Sequence, residues 1–315
     1  MVTCKRLLAA AAFGAVACQV GCGWLGNGPP SSPTSKAVEE LPSPSAPSPS
    51  VAQSVPVTLV GAGDIAVCGA PSTEATARLL DGLPGAIFTA GDNAYPNGAA
   101  EYFATCYEPT WGRHRARTYP APGNHEYEVA AAAPYFAYFG AAAGPAGLGY
   151  YSYDLGAWHI LSLNSSVAAN PGSSQYEWVR NDLAANPRAC TMAYWHHPLF
   201  SSGLHGNQGM MRELWRLLDQ AGVDLVVVGH DHGYERFAPQ DADGRLDPRG
   251  IREFVAGTGG APLYRTKTIQ PNSEVRENQT WGVLKLALRG TGYEWEFVPI
   301  EGQSFRDFGS ADCVQ

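Results

Sequence analysis

Five stretches of this chain carry an apolar run into a residue that can bind a cation: Gly63-Asp64, Gly91-Asp92, Gly123-Asn124, His196-His197 and Gly229-His230-Asp231-His232. Carboxylate and amide oxygens beside imidazoles suit Fe, Mn or Zn. In the last stretch the alternate residues His230 and His232 can feed two adjacent ions while Asp231 points elsewhere. Asp92 closes the run Ala86-Ile87-Phe88-Thr89-Ala90, and its two oxygens can each hold a different ion. Singly, each residue has an ordinary explanation: Asp or Asn after a strand is often a turn or cap residue, and a lone His is usually packed or solvated. Together at successive strand ends they predict a bridged two-metal centre.

The elements needed to carry these residues follow from apolar patterning. Strands are expected over 57–60, 86–90 and 118–121, two more within 150–163, then over 190–195 and 223–228. Helices are expected between them over 73–80, 99–107, 130–139, 173–185 and 208–221. Beyond residue 232 only strands are expected, over 251–255, 281–288 and 293–299, with Gly257–Gly260 and Gly290–Gly292 as turns. Alternating strands and helices give an α/β fold, in which sites gather at the carboxyl ends of the strands.

With 315 residues, 45% of them hydrophobic, the chain can build a sizeable core. Its formal charge of −8 argues against general nucleic-acid binding, which needs a basic surface. Lys5-Arg6 precede an Ala-rich apolar stretch over 7–17 that is too short to cross a bilayer and suits a secretory leader. Ala15-Val16-Ala17 before Cys18 offers a cleavage site, and Val20-Gly21 before Cys22 resembles a bacterial lipoprotein box. The chain is therefore expected to be exported, either freely secreted or anchored by lipid through Cys18 or Cys22. Residues 1–22 are read as leader, 23–56 as a Pro/Ser/Ala-rich flexible tether, and 57–315 as the catalytic domain. Cys68, Cys106, Cys190 and Cys313 remain, enough for two disulfides with three possible pairings. Cys68 and Cys106 both follow strand ends that a shared metal centre would draw together, so Cys68–Cys106 is the expected bridge, leaving Cys190 to Cys313.

The ordered set Gly-Asp, Gly-Asp, Gly-Asn-His-Glu, lone His and Gly-His-x-His across residues 61–232 resembles the calcineurin-like metallophosphoesterase superfamily. Tyr95, the nine-residue step from His196 to His205, and His232-Gly233-Tyr234-Glu235-Arg236 resemble its purple acid phosphatase branch. The resemblance implies a four-layer α-β-β-α sandwich with two mixed sheets. It implies one metal at Asp64, Asp92, Tyr95 and His232, and a second at Asp92, Asn124, His196 and His230. His125 and His205 would contact the phosphate and assist departure of the leaving group. Glu126 would orient a histidine, and His197 is read as a packed or surface residue. A phenol with an ordinary pKa of about 10 ionises readily only beside a strong Lewis acid, so the first metal is expected to be Fe(III). The neutral amide and two imidazoles at the second suit Zn, Fe or Mn.

The implied activity is hydrolysis of phosphate monoesters by hydroxide held at the metals. A phosphodiesterase or nucleotide-cleaving enzyme would keep the same ligands and differ in its pocket walls. A secreted binding protein that had lost turnover would be expected to have lost a ligand.

Overall fold

The structure, a computed structural model, describes residues 55–314. The expected leader and all but the end of the expected tether lie outside the described residues. Among the described residues thirteen strands, numbered in chain order, form two mixed sheets. The first contains β1 (Val57–Ala62), β2 (Ala86–Ala90), β3 (Thr118–Ala121), β11 (Gly282–Arg289), β12 (Gly292–Pro299) and β13 (Phe308–Asp312). Its order is β13-β12-β11-β1-β2-β3, with β1, β2 and β3 parallel and the rest antiparallel. The second holds β4 (Tyr151–Leu155), β5 (Trp158–Ser162), β6 (Cys190–Tyr194), β7 (Leu225–Val228), β8 (Tyr234–Phe237), β9 (Arg252–Ala256) and β10 (Ser273–Glu277). Here the order is β10-β8-β9-β7-β6-β5-β4, with β5, β6, β7 and β9 parallel.

Period-two side-chain alternation divides the core into three layers. In β1, Leu59 enters the core between the sheets while Val60 faces the outer layer, and in β6 Met192 and Tyr194 face inward while Ala193 faces outward. Ala77 and Leu80 of the helix Pro71–Gly82, with Phe103, Tyr107 and Trp111, cover the first sheet. Val179 of the helix Ser174–Ala185 and Leu214, Trp215 and Leu218 of the helix Arg212–Gln220 cover the second. This is the expected four-layer α-β-β-α sandwich.

Local differences have local causes. The expected helix over 130–139 begins only at Ala133, because Ala131 and Ala132 adopt left-handed backbone (φ 54° and 50°) and Pro134 cannot donate to a preceding turn. The helical stretch after Ala99 widens into a π-turn over Phe103–Tyr107. Strands β8, β10 and β13 were not anticipated. The last two lie at sheet edges and read as polar sequence, Ser273-Glu274-Val275-Arg276-Glu277 and Phe308-Gly309-Ser310-Ala311-Asp312, without an apolar run to mark them.

Both disulfides are the expected pairs, with Cα separations of 4.8 Å for Cys68–Cys106 and 5.4 Å for Cys190–Cys313. The first ties the loop after Asp64 to the turns after Tyr95. The second ties the start of β6 to the segment after β13, at the end of the strands away from the candidate ligands. Among the described residues no helix is long and apolar enough to cross a membrane.

Candidate metal centre

The candidate ligands sit just beyond five parallel strand ends, three in one sheet and two in the other: Asp64 after β1, Asp92 after β2, Asn124 after β3, His196 after β6 and His230 after β7. Asp64, Asp92 and His230 have left-handed backbone, with φ of 60°, 51° and 69°. Such values are uncommon outside glycine and cluster at functional sites. The ladder between β1 and β2 also continues past the strands, through Asp64 N–H to Gly91 O (3.1 Å), Ile65 N–H to Asp92 O (2.9 Å) and Tyr95 N–H to Ala66 O (2.9 Å). It fixes Asp64, Asp92 and Tyr95 relative to one another. Gly91 leaves room for the second sheet's contribution: a Cβ there would lie 2.6 Å from His196 Nδ1.

Tyr95 Oη lies 2.9 Å from Asp64 Oδ1, 3.1 Å from Asp92 Oδ2 and 3.1 Å from His232 Nε2. On the other side, His196 Nε2 lies 3.1 Å from Asp92 Oδ2 and 3.0 Å from Asn124 Oδ1. The His230 ring is 5.1 Å from that of His196, and its main-chain N–H donates to Asp64 Oδ2 at 2.8 Å. All seven expected ligands are therefore gathered in one place. One detail differs from expectation: the two halves meet at a single oxygen, Asp92 Oδ2, because Oδ1 accepts the main-chain N–H of His125 (2.9 Å).

Two imidazoles are oriented by the main chain. Nδ1 of His196 lies 2.8 Å from Ala90 O and Nδ1 of His232 lies 2.7 Å from Pro262 O, so each Nδ1 donates and each Nε2 is turned inward as a potential ligand. Tyr264 lies flat against His232, centroids 3.9 Å apart and planes at 10°. The electrostatics follow from packing carboxylates on imidazoles out of water. Burial would lower the pKa of His196, yet the Asp92 carboxylate pushes it up to about 9. Burial would raise Asp92, yet His196 holds it well below the usual carboxylate range. Burial, then Asp64 and Asp92, raise the Tyr95 phenol well above its ordinary value. Burial and the neighbouring imidazoles push His230 down to about 2, so its ring is available as a neutral nitrogen donor, and the oxygen and nitrogen donor set fits two metal ions.

The expected phosphate-contacting histidines lie at this centre's margin. His125 packs on Tyr95 (centroids 4.6 Å apart), with Nε2 3.7 Å from Asp92 Oδ2 and Nδ1 3.0 Å from Glu128 Oε1. The His205 ring lies 4.3 Å from that of His230, tilted by 32°. Glu126 departs from its expected part: among the described residues it forms no hydrogen bond or ion pair with a histidine, and its buried carboxylate instead accepts main-chain N–H groups of Asp92 (3.0 Å), Asn93 (2.7 Å) and Gly123 (2.6 Å). Burial, then the Asp92 charge, raise its pKa to about 7. His197 is the packed residue expected, with Nδ1 2.8 Å from Ser165 Oγ. The sequence reading missed Tyr264 and the run Gly257–Gly260, taken only as a turn. That run lies against Asp64 through Gly259 N–H to Gly63 O and Ala261 N–H to Asp64 O, both 2.9 Å. Its glycine density was the available signal.

A family model for calcineurin-like phosphoesterases matches residues 57–234. The chain belongs to that family. Its sequence relatives place it with the purple acid phosphatase branch. It is 30% identical over 226 residues to purple acid phosphatase 15 of Arabidopsis thaliana, covering 60% of this chain and 42% of that protein. It is 28% identical over 269 residues to acid phosphatase type 7 of Mus musculus, covering 70% and 58%. The chain thus spans about half the length of the curated relatives it matches. Among solved structures, a purple acid phosphatase from yellow lupin (Lupinus luteus) seeds superposes with a TM-score of 0.71 at 20% identity, covering 82% of this chain and 54% of that one. A Plasmodium protein described as an anchor in the inner membrane complex superposes with a TM-score of 0.65 at 13% identity, covering 83% and 90%. Fold alone therefore does not carry an activity, and the donor set must be argued from its own residues.

Proposed function

We propose that this chain is an exported, metal-dependent phosphoric ester hydrolase acting on phosphate monoesters. The observation that carries the reading is the meeting of Tyr95, Asp64, Asp92 and His232 within about hydrogen-bond distance on one side, and of His196 and Asn124 on the other, with Asp92 Oδ2 common to both. In this reading Asp64, Asp92, Tyr95 and His232 hold Fe(III), and Asp92, Asn124, His196 and His230 hold Zn, Fe or Mn. Bound there, two cations would attract the phosphate oxygens, acidify water and offset charge developing during displacement.

The chain's own residues supply the rest. Tyr95, Asp64 and Asp92 contribute the negative charge that retains a trivalent ion. Glu126 holds the loops of Asp92 and Asn124 at fixed separation through main-chain N–H groups. In this reading His125 and His205, on either side of the ligands, hold the phosphate and give a proton to the departing oxygen, a task suited to an imidazole. Export is supported by the two disulfides together with the apolar N-terminal stretch; lipid attachment at Cys18 or Cys22 concerns residues outside those described.

Purified protein assayed on p-nitrophenyl phosphate and bis-p-nitrophenyl phosphate, before and after chelation, tests this directly. The expected result is faster turnover of the monoester, lost with the metals and restored on their return. Preference for the diester would favour the phosphodiesterase alternative. No turnover of either ester with two metals bound would make it a binding protein.

A further inference from the structure

His205 lies on the irregular connection between β6 and the helix Arg212–Gln220, so neither sheet nor helix hydrogen bonds fix it. Carboxylates do. Glu253 of β9 accepts the N–H groups of Leu199 and Phe200, both at 3.1 Å. Glu235 of β8 accepts Ser202 N–H (2.8 Å) and Ser202 Oγ–H (2.6 Å). Asp231 accepts the N–H groups of His205 (2.8 Å) and Gly206 (3.1 Å) and the hydroxyl of Ser201 (2.5 Å). At Gly203 the loop presses so closely on this last carboxylate that a Cβ would lie 2.6 Å from Asp231 Oδ1.

These three acids are at most 5% exposed, and among the described residues none forms an ion pair. Burial raises the pKa of Glu253 well above its ordinary value and raises Glu235 as well, the latter opposed by hydrogen bonds from Ser202. Burying carboxylates without a cation partner is costly, and apolar residues would fill the same space more cheaply. What acids supply is a set of directional acceptors for a loop whose own N–H groups have no regular partner. Two of them, Asp231 and Glu235, flank ligand His232 in sequence, so the segment that brings a ligand also fixes the loop that brings His205 against His230.

We propose that Asp231, Glu235 and Glu253 are positioning residues that hold His205 where it can protonate the leaving group. The inference rests on the role given to His205 under the proposed function. The test uses metal-loaded full-length protein and two esters, phenyl phosphate, whose leaving group needs a proton, and 2,4-dinitrophenyl phosphate, whose leaving group does not. In His205→Ala, kcat on phenyl phosphate should fall roughly tenfold to a hundredfold further than on the dinitrophenyl ester. Glu235→Gln and Ser202→Ala, which cut the same contact from opposite sides, should shift the ratio in the same direction with both metals retained. The double variant His205→Ala/Glu235→Gln should be no worse than His205→Ala alone. Equal loss on both esters, loss of metal, or a multiplicative double variant would overturn the positioning role. Amide hydrogen exchange over residues 199–206 separates this inference from the one beneath it: if His205→Ala leaves the ester ratio unchanged, the proton-donor role falls, whereas exchange no faster in Glu235→Gln and Ser202→Ala than in wild type removes the cradle whatever His205 does.

Discussion

Glu126 and Asp92 are joined through main chain: Glu126 Oε2 accepts the Asp92 N–H at 3.0 Å and the Gly123 N–H at 2.6 Å. One carboxylate thereby sets the spacing between the loop of the shared ligand and the loop of Asn124. Its position next to His125 in sequence suggests a histidine partner, and the structure gives it a backbone one. Replacing Glu126 with Ala should lower affinity for both ions by roughly 10- to 100-fold, although Glu126 is not itself a ligand. Glu126→Gln should be milder, since one amide oxygen still accepts. Metal titration followed by elemental analysis checks this, and unchanged affinity in Glu126→Ala would show that the loops hold their spacing unaided.

Asp92 and His196 should separate the two sites. Asp92 Oδ2 is shared by the Tyr95 side and the His196 side, so Asp92→Asn should weaken both metals together. His196→Ala removes a donor from one side only and should release the second metal first. Metal content per chain, measured during stepwise chelation, distinguishes the two patterns. Two metals retained as firmly in Asp92→Asn as in wild type would remove the bridging role.

Most of the candidate metal centre was legible because five of the expected ligands follow apolar runs, and a parallel strand delivers its end to one edge of the sheet. Asp64, Asp92, Asn124, His196 and His230 could be placed by that rule alone. Tyr95 could not: it lies beyond the strand and reaches Asp64 only because the β1–β2 ladder continues past both strand ends. The sharing of one Asp92 oxygen was equally hidden, since it follows from the His125 N–H that occupies the other. Strands β10 and β13 were missed because edge strands alternate polar residues and need no apolar run. Tyr264 stacks on His232 from a segment with no regular periodicity, and only the neighbouring glycines hint that this chain passes close to Asp64.

Acid conditions should stabilise one part of the second sheet. His159 of β5 is buried between Asp154 Oδ1 (2.8 Å) and Asp182 Oδ2 (2.7 Å), with Arg188 also on Asp154 at 2.6 Å. Burial would lower its pKa, but the two carboxylates outweigh burial and raise it above the ordinary value. A raised native pKa means the protonated form favours folding. That contribution is complete below the unfolded value of about 6.5 and is lost as pH rises through the native value. His159→Gln should therefore lower Tm more at pH 5 than at pH 9. Thermal unfolding across that range is the check, and an equal difference at both ends would mean that the imidazole acts as a neutral hydrogen-bonding group.

Tyr95 offers the most direct reading of the first metal. Its oxygen lies within 3.1 Å of Asp64 Oδ1, Asp92 Oδ2 and His232 Nε2, and burial, then the two carboxylates, raise the phenol's pKa well above its ordinary value. Under the proposed function the phenol would ionise beside an ion of high charge, Fe(III) in that reading. A phenolate bound to ferric iron should transfer charge to the metal in visible light and colour the protein violet or pink. Tyr95→Phe should abolish the band and loosen iron, while Asp64, Asp92 and His232 still hold it and hydrolysis persists at a reduced rate. Visible spectra of both proteins, with iron content and oxidation state measured on the same samples, decide the point. A colourless wild-type protein whose first iron is ferric would mean that the phenol only packs beside the metal, and the negative charge balancing that ion would then come from Asp64 and Asp92 alone.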